Sequence, residues 1–134
     1  MQSKSLLSTL VFAASALAFT IRHDAKYDDA STSMSTGACS SVLSSKYSTF
    51  GDVPKFPFIG GAAMVQGTKE TWCGTCWNLT TTEGSTIFVA AIDEAEEGFV
   101  VSNQAFDELT GGQSGSVDSV KTWLLQVPPS ECGM

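Results

Sequence analysis

The sequence predicts a small, mainly β domain, a barrel or sandwich carrying one short helix. Three observations carry that prediction. Short β-favouring runs recur between Gly, Pro and Asp turn signals. One stretch, residues 102–112, has helical spacing with a start and a stop. Four cysteines in 134 residues point to an exported domain closed by disulfides.

The chain opens "MQSKSLLSTLVFAASALAFT". Lys4 precedes an apolar run, and Ala16-Leu17-Ala18 places small residues at the cleavage-determining positions, as in a secretory signal peptide spanning residues 1–18. The run is too short, and too interrupted by Ser8, Thr9 and Ser15, for a membrane span of about 20 residues. Residues 19–134 suffice for one compact domain. Phe19-Thr20-Ile21-Arg22-His23 alternates like a half-buried first strand. Residues 51–61, punctuated by Pro54, Pro57 and paired glycines, read as an ordered loop, and Phe56-Pro57-Phe58-Ile59 within it as a candidate exposed apolar patch.

Trp77 to Thr82 forms a strand, Glu83-Gly84 a turn, and residues 85–93 the longest apolar strand, central and buried on both faces. Phe99-Val100-Val101 is a further strand. In the helix that follows, Ser102 or Asn103 is the cap, Ala105, Phe106 and Leu109 form the apolar face, and Gly111-Gly112 is the stop. Residues 120–127 make the last strand, ended by Pro128-Pro129.

Acidic residues outnumber basic ones, 14 against 7. Such a surface repels phosphate backbones and anionic lipid, which argues against nucleic acid and membrane partners; a neutral polymer meets no such barrier. The "CGTCW" run, residues 73–77, admits three readings. A redox dithiol needs a helix start after its first cysteine, whereas β-rich "WNLTTT" follows. A zinc site needs four ligands, and His23 is the only histidine. Two structural bridges remain, tying Cys73 and Cys76 to different terminal segments, and spacing does not choose the pairing. No metal and no cofactor is expected.

"YDDASTSMSTGACS" (residues 27–40), "FPFIGG" (56–61), "CGTCW", "IDEAEEGFVVSNQAFDELTGGQ" (92–113) and the final Cys132 together resemble the cerato-platanin family of small secreted fungal proteins. The resemblance spans essentially all of residues 19–134. It implies a six-stranded double-psi β-barrel related to barwin and to expansin barrel domains, and disulfides Cys39–Cys73 and Cys76–Cys132. It implies a secreted, wall-associated, non-catalytic protein. Its expected partners are chitin or N-acetylglucosamine oligomers, with cellulose as a further polymer, and an unidentified host immune receptor. Expansin-like loosening and activity as an elicitor or immunomodulator belong to the same expectation.

Asp93 ends the longest apolar strand and opens the acidic run 93–97; a carboxylate there suits a ligand hydroxyl, or else a turn bonding its own backbone. It matches the family's aspartate associated with loosening. Asp24 and Asp28 match recurrent family aspartates and read as hydrogen-bonders rather than catalysts, with Tyr27 beside them. His23 stands where relatives carry tyrosine and reads as a solvated strand end. A hydrolase needs two carboxyls about 5–10 Å apart, and expansin-type barrels carry an aspartate in the segment here reading "GFVVS", where this chain has Val100. The departure counts against hydrolysis. Of the three tryptophans, Trp77 reads as core and Trp72 as the exposed candidate for stacking on sugar. Asn78-Leu79-Thr80 matches the N-glycosylation acceptor.

Overall fold

The structure is a computed structural model that describes residues 18–134. The signal peptide expected over residues 1–18 lies, but for Ala18, outside the described residues. Six strands close into a barrel: β1 (Phe19–His23), β2 (Ile59–Ala62), β3 (Cys76–Thr81), β4 (Thr86–Glu94), β5 (Phe99–Val101) and β6 (Ser119–Val127), in the spatial order β1-β5-β2-β4-β3-β6. β1 pairs parallel with β5 and β2 parallel with β4; the other four pairings are antiparallel. Among the described strands closure leaves no open sheet edge, which removes the row of unpaired backbone groups an edge strand would expose.

β1, β3, β4, β5 and β6 fall within one residue of where the sequence placed them. β4 is buried from Val89 through Asp93 because barrel neighbours cover one face and short helices the other. The helix α3 (Asn103–Thr110) starts at Ser102, whose hydroxyl accepts from Ala105 N at 3.0 Å, and ends at Gly111 in the left-handed region, φ 77°. Ala105, Phe106 and Leu109 are its buried face. Two shorter helices, α1 (Ser40–Leu43) and α2 (Lys69–Trp72), flank the barrel.

Residues 51–61 are not all loop. Ile59 begins β2, four buried residues reading Ile-Gly-Gly-Ala. A Cβ on Gly60 would fall on the Val100 carbonyl oxygen, and one on Gly61 on that of Glu94. The glycines that read as loop punctuation are there because neighbouring backbones pass too close for side chains. Nor does Phe56 to Ile59 form an exposed patch: Phe56 and Phe58 pack against the core and Ile59 is fully buried.

The disulfides are Cys39–Cys73 and Cys76–Cys132, with Cα–Cα distances of 5.6 and 5.8 Å. They close sequence separations of 34 and 56 residues, each worth about 4 kcal/mol in the chain-entropy account. Cys73 follows α2 and Cys76 opens β3, so their close spacing arises where two staples meet at one strand start.

Candidate functional site

β4 delivers Asp93 to one end of the barrel opposite Gly61 of β2, just past an irregularity in the β2–β4 register. The residue is only 6% exposed. A buried carboxylate needs donors, and this one has them on both oxygens. Oδ1 accepts from the backbone N–H groups of Ala38 at 2.8 Å and Glu94 at 2.9 Å. Oδ2 accepts from the Tyr27 hydroxyl at 2.9 Å and lies 3.5 Å from Lys26 Nζ.

Tyr27 sits in a single helical turn, Ala25–Asp28, capped by Asp24, whose carboxylate accepts from Lys26 N at 2.9 Å. Its ring is buried and stacks on Phe50 with centroids 5.9 Å apart. Burial first, and then the charge of Asp93 and the hydrogen bond to it, push the phenol far above its ordinary value. Tyr27 is therefore a neutral donor locked onto Asp93. It holds the carboxylate in position and has no ring face free for a sugar.

Above Asp93 opens a groove of about 730 Å³, with Lys26, Lys69 and Gln66 set against Asp93, Glu94 and Glu96. Gln66 Nε2 donates to the carbonyl oxygens of Ala95 and Glu96 and so fixes the acidic loop. Glu96 also borders an adjoining hollow of about 380 Å³ lined by Arg22, Glu97 and Val100. There Arg22 Nη1 meets Glu97 Oε2 at 3.0 Å, both side chains about half exposed. The two hollows share Glu96, and the larger is lined mainly by polar groups, Lys26, Thr36, Gln66, Lys69, Asp93 and Glu94 among them. Such a groove can hydrogen-bond the hydroxyls and amides of an uncharged ligand.

The other sequence-predicted residues scatter. Asp24 borders this region as a cap and is exposed. Asp28 reaches across the fold instead: its carboxylate accepts from Asn103 N at 2.7 Å and Gln104 N at 3.0 Å, a second cap on the N-terminus of α3. Trp72 is partly buried, its ring 6.1 Å from that of the buried Trp77. The exposed tryptophan is Trp123, at 41%. His23 is not a solvated strand end: Nδ1 is 2.7 Å from Asn103 Oδ1, Nε2 is 3.0 Å from the Val117 carbonyl oxygen, and the ring lies against Phe106. Val100 lines the smaller hollow.

Sequence reasoning missed Lys26, Gln66, Lys69 and the Ala38 amide. No motif marks them, since each gains its place only when the 25–38 and 63–72 segments fold over the end of β4. Among the described residues no cluster of three or more His, Cys, Asp or Glu could hold a metal ion. No described helix is long and apolar enough to cross a membrane.

Comparison with known proteins places this architecture. The cerato-platanin family profile matches residues 19–134. The chain is 40% identical over 129 residues to cerato-platanin of Ceratocystis fimbriata f. sp. platani, covering 93% of this chain and 94% of that one. It is 38% identical over 120 residues to allergen Asp f 15 of Aspergillus fumigatus, covering 87% and 78%. The crystal structure of cerato-platanin 2 from M. perniciosa superposes with a TM-score of 0.82 at 40% identity, over 88% of this chain and 100% of that one. The solution structure of the fungal elicitor cerato-platanin does so with a TM-score of 0.75 at 36% identity, over 84% and 95%. The closed six-stranded barrel, both disulfides and the family match over residues 19–134 lead to one conclusion: the chain belongs to the cerato-platanin family.

Proposed function

We propose that this protein is exported to the fungal wall and surroundings, binds chitin or N-acetylglucosamine oligomers non-catalytically, and loosens chitin or cellulose networks. Host immune systems then perceive it. The observation that carries the binding reading is the Asp93 groove: one carboxylate, held by three hydrogen bonds and the Lys26 ion pair, at the floor of a polar groove whose lining residues include no aromatic ring. Both Asp93 oxygens are engaged, which suits a fixed acceptor better than a group that must give and take a proton. The immune reading draws on the names of relatives, among them an allergen, an elicitor and the heat-stable 19 kDa antigen of Coccidioides immitis.

A shallow polar groove desolvates little sugar, so affinities should fall between micromolar and millimolar, about −8 to −4 kcal/mol. Titrating labelled protein with chito- and cello-oligomers should shift Lys26, Asp93 and the 94–97 loop. In Asp93→Asn, the amide can still accept from Ala38 and Glu94 and donate to the Tyr27 oxygen, so the fold survives. Losing the charge should weaken binding by about 1.5–3 kcal/mol, tenfold or more. Unchanged affinity, or shifts elsewhere, would move the site. The rival reading, weak hydrolysis, draws on Glu94 and Glu96 beside Asp93; reducing ends released by wild type and not by Asp93→Asn would establish it.

A further inference from the structure

The outer face of β3, β4 and β6 carries a second feature, remote from Asp93. In the strand registers, Asn78 faces Leu125 on one side and Phe88 on the other, while Thr80 faces Trp123 and Thr86. Directly paired residues share a face of the sheet. Trp123 and Leu125 are 41% and 64% exposed, two of the large apolar side chains this fold leaves in solvent. Asn78, the residue of the Asn-Leu-Thr acceptor sequence, thus stands between apolar neighbours on one surface.

Its side chain is also oriented. Oδ1 accepts from the Thr80 hydroxyl at 2.8 Å and the Thr86 hydroxyl at 3.0 Å. Among the described residues, Nδ2 donates no hydrogen bond. The two hydroxyls pin the oxygen and leave the nitrogen, the atom an N-linked sugar would occupy, without a partner to lose. The acceptor threonine is itself one of the pins, so both residues of the motif act in the folded protein.

We propose that Asn78 is N-glycosylated and that the first sugars of the glycan lie over Trp123 and Leu125. The apolar faces of sugar rings suit an indole, and residues one diagonal apart on a sheet are within reach of such a ring. The glycan covers a face whose exposed apolar area is otherwise unaccounted for. In the transfer, Asn78 Nδ2 attacks the anomeric carbon of a lipid-pyrophosphate-linked oligosaccharide. A C–N bond forms, the anomeric C–O bond breaks with its electron pair leaving on the lipid pyrophosphate, and one amide proton is released. The acceptor is the extended chain before β3 pairs, because both edges of the folded strand are occupied by β4 and β6. The inference rests on the export proposed above, since only an exported chain meets such a donor.

The test expresses the full chain in a fungal secretory host. Protein from the medium should be heavier by one glycan, and an amidase that cleaves N-linked chains should remove the excess and leave Asp at position 78. Asn78→Gln and Thr80→Ala should lack the added mass, and Thr80→Ser should keep it, because serine also completes the motif. Radical oxidation of Trp123 should run about twofold slower in the glycosylated protein than after enzymatic removal of the glycan from the folded protein. That comparison uses one folded chain and does not depend on a variant folding. Secreted protein at its unmodified mass overturns the site. A glycan at Asn78 with Trp123 oxidation unchanged overturns the covering. Absence from the medium overturns export instead, and residues 19–134 behind a host leader then decide the site by the same masses.

Discussion

β2 and β4 run side by side and parallel through the barrel, and they are built on opposite principles. β4 holds its place with side chains: Ile87, Val89 and Ile92 are buried and fill the spaces on either side of the sheet. β2 holds its place by lacking them. At Gly60 the backbone of β5 comes close enough that a methyl group would meet the Val100 carbonyl oxygen and lie 3.0 Å from Val101 Cα. At Gly61 the Tyr27 hydroxyl comes within 3.0 Å of where a Cβ would sit. The comparison teaches that the Asp93 site needs both kinds of strand. β4 presents the carboxylate, and β2 leaves room for the phenol that fixes it.

The sharpest way to break this comparison is to give β2 a side chain. Gly60→Ala adds one carbon where backbone, not a flexible side chain, must yield. It should cost about 3 kcal/mol or more, at the upper end for overpacking, read by denaturant unfolding. A loss under about 1 kcal/mol would mean that β5 retreats easily and that glycine is not required there.

What the sequence revealed follows the same division. β1, β3, β4, β5, β6 and α3 were legible because side chains write strand patterns and caps into a sequence. β2 was not, since a strand of Ile-Gly-Gly-Ala has no alternation to read and its glycines look like turn residues. Asp93 was legible as a polar residue ending an apolar strand. Its partners were not: Lys26 and the Ala38 amide come from segments 67 and 55 positions away in sequence (93 − 26 and 93 − 38) and carry no pattern of their own. The exposure of Trp123 over Trp72, and the bonded His23, were hidden for a related reason. Each depends on what packs across it from another element.

The next test addresses the contact that β2 permits. Tyr27→Phe removes a donor from the buried Asp93 Oδ2 and should cost about 1–3 kcal/mol at neutral pH. It should also change the alkaline limb of the stability curve. The folded protein holds the Tyr27 proton above the ordinary phenol value near 10. The unfolded chain releases it first, so this contribution is whole below pH about 10 and declines as pH rises further, by about 1.4 kcal/mol per pH unit. Tyr27→Phe has no such component, and its stability should fall less steeply above pH 10. Parallel curves for the two proteins would show that the phenol is not held as the geometry states.

The smallest effect belongs to β4 and sharpens the comparison most. Ile92 is fully buried, and Ile92→Val removes one carbon from a packed site. The neighbours can partly close the gap, because they are side chains with rotamers to adjust. The cost should be about 0.5–1.5 kcal/mol, several times less than that of the single carbon added at Gly60. Both substitutions change the protein by one carbon in adjacent strands of one barrel, so the ratio isolates the kind of neighbour each carbon meets. Side chains yield; a hydrogen-bonded backbone does not, because moving it would break the β2–β5 ladder at Val100 and Val101. Equal costs in urea unfolding would show that the two strands are packed alike, and β2 would then be an ordinary strand with small residues rather than the gap that makes room for the Asp93 site.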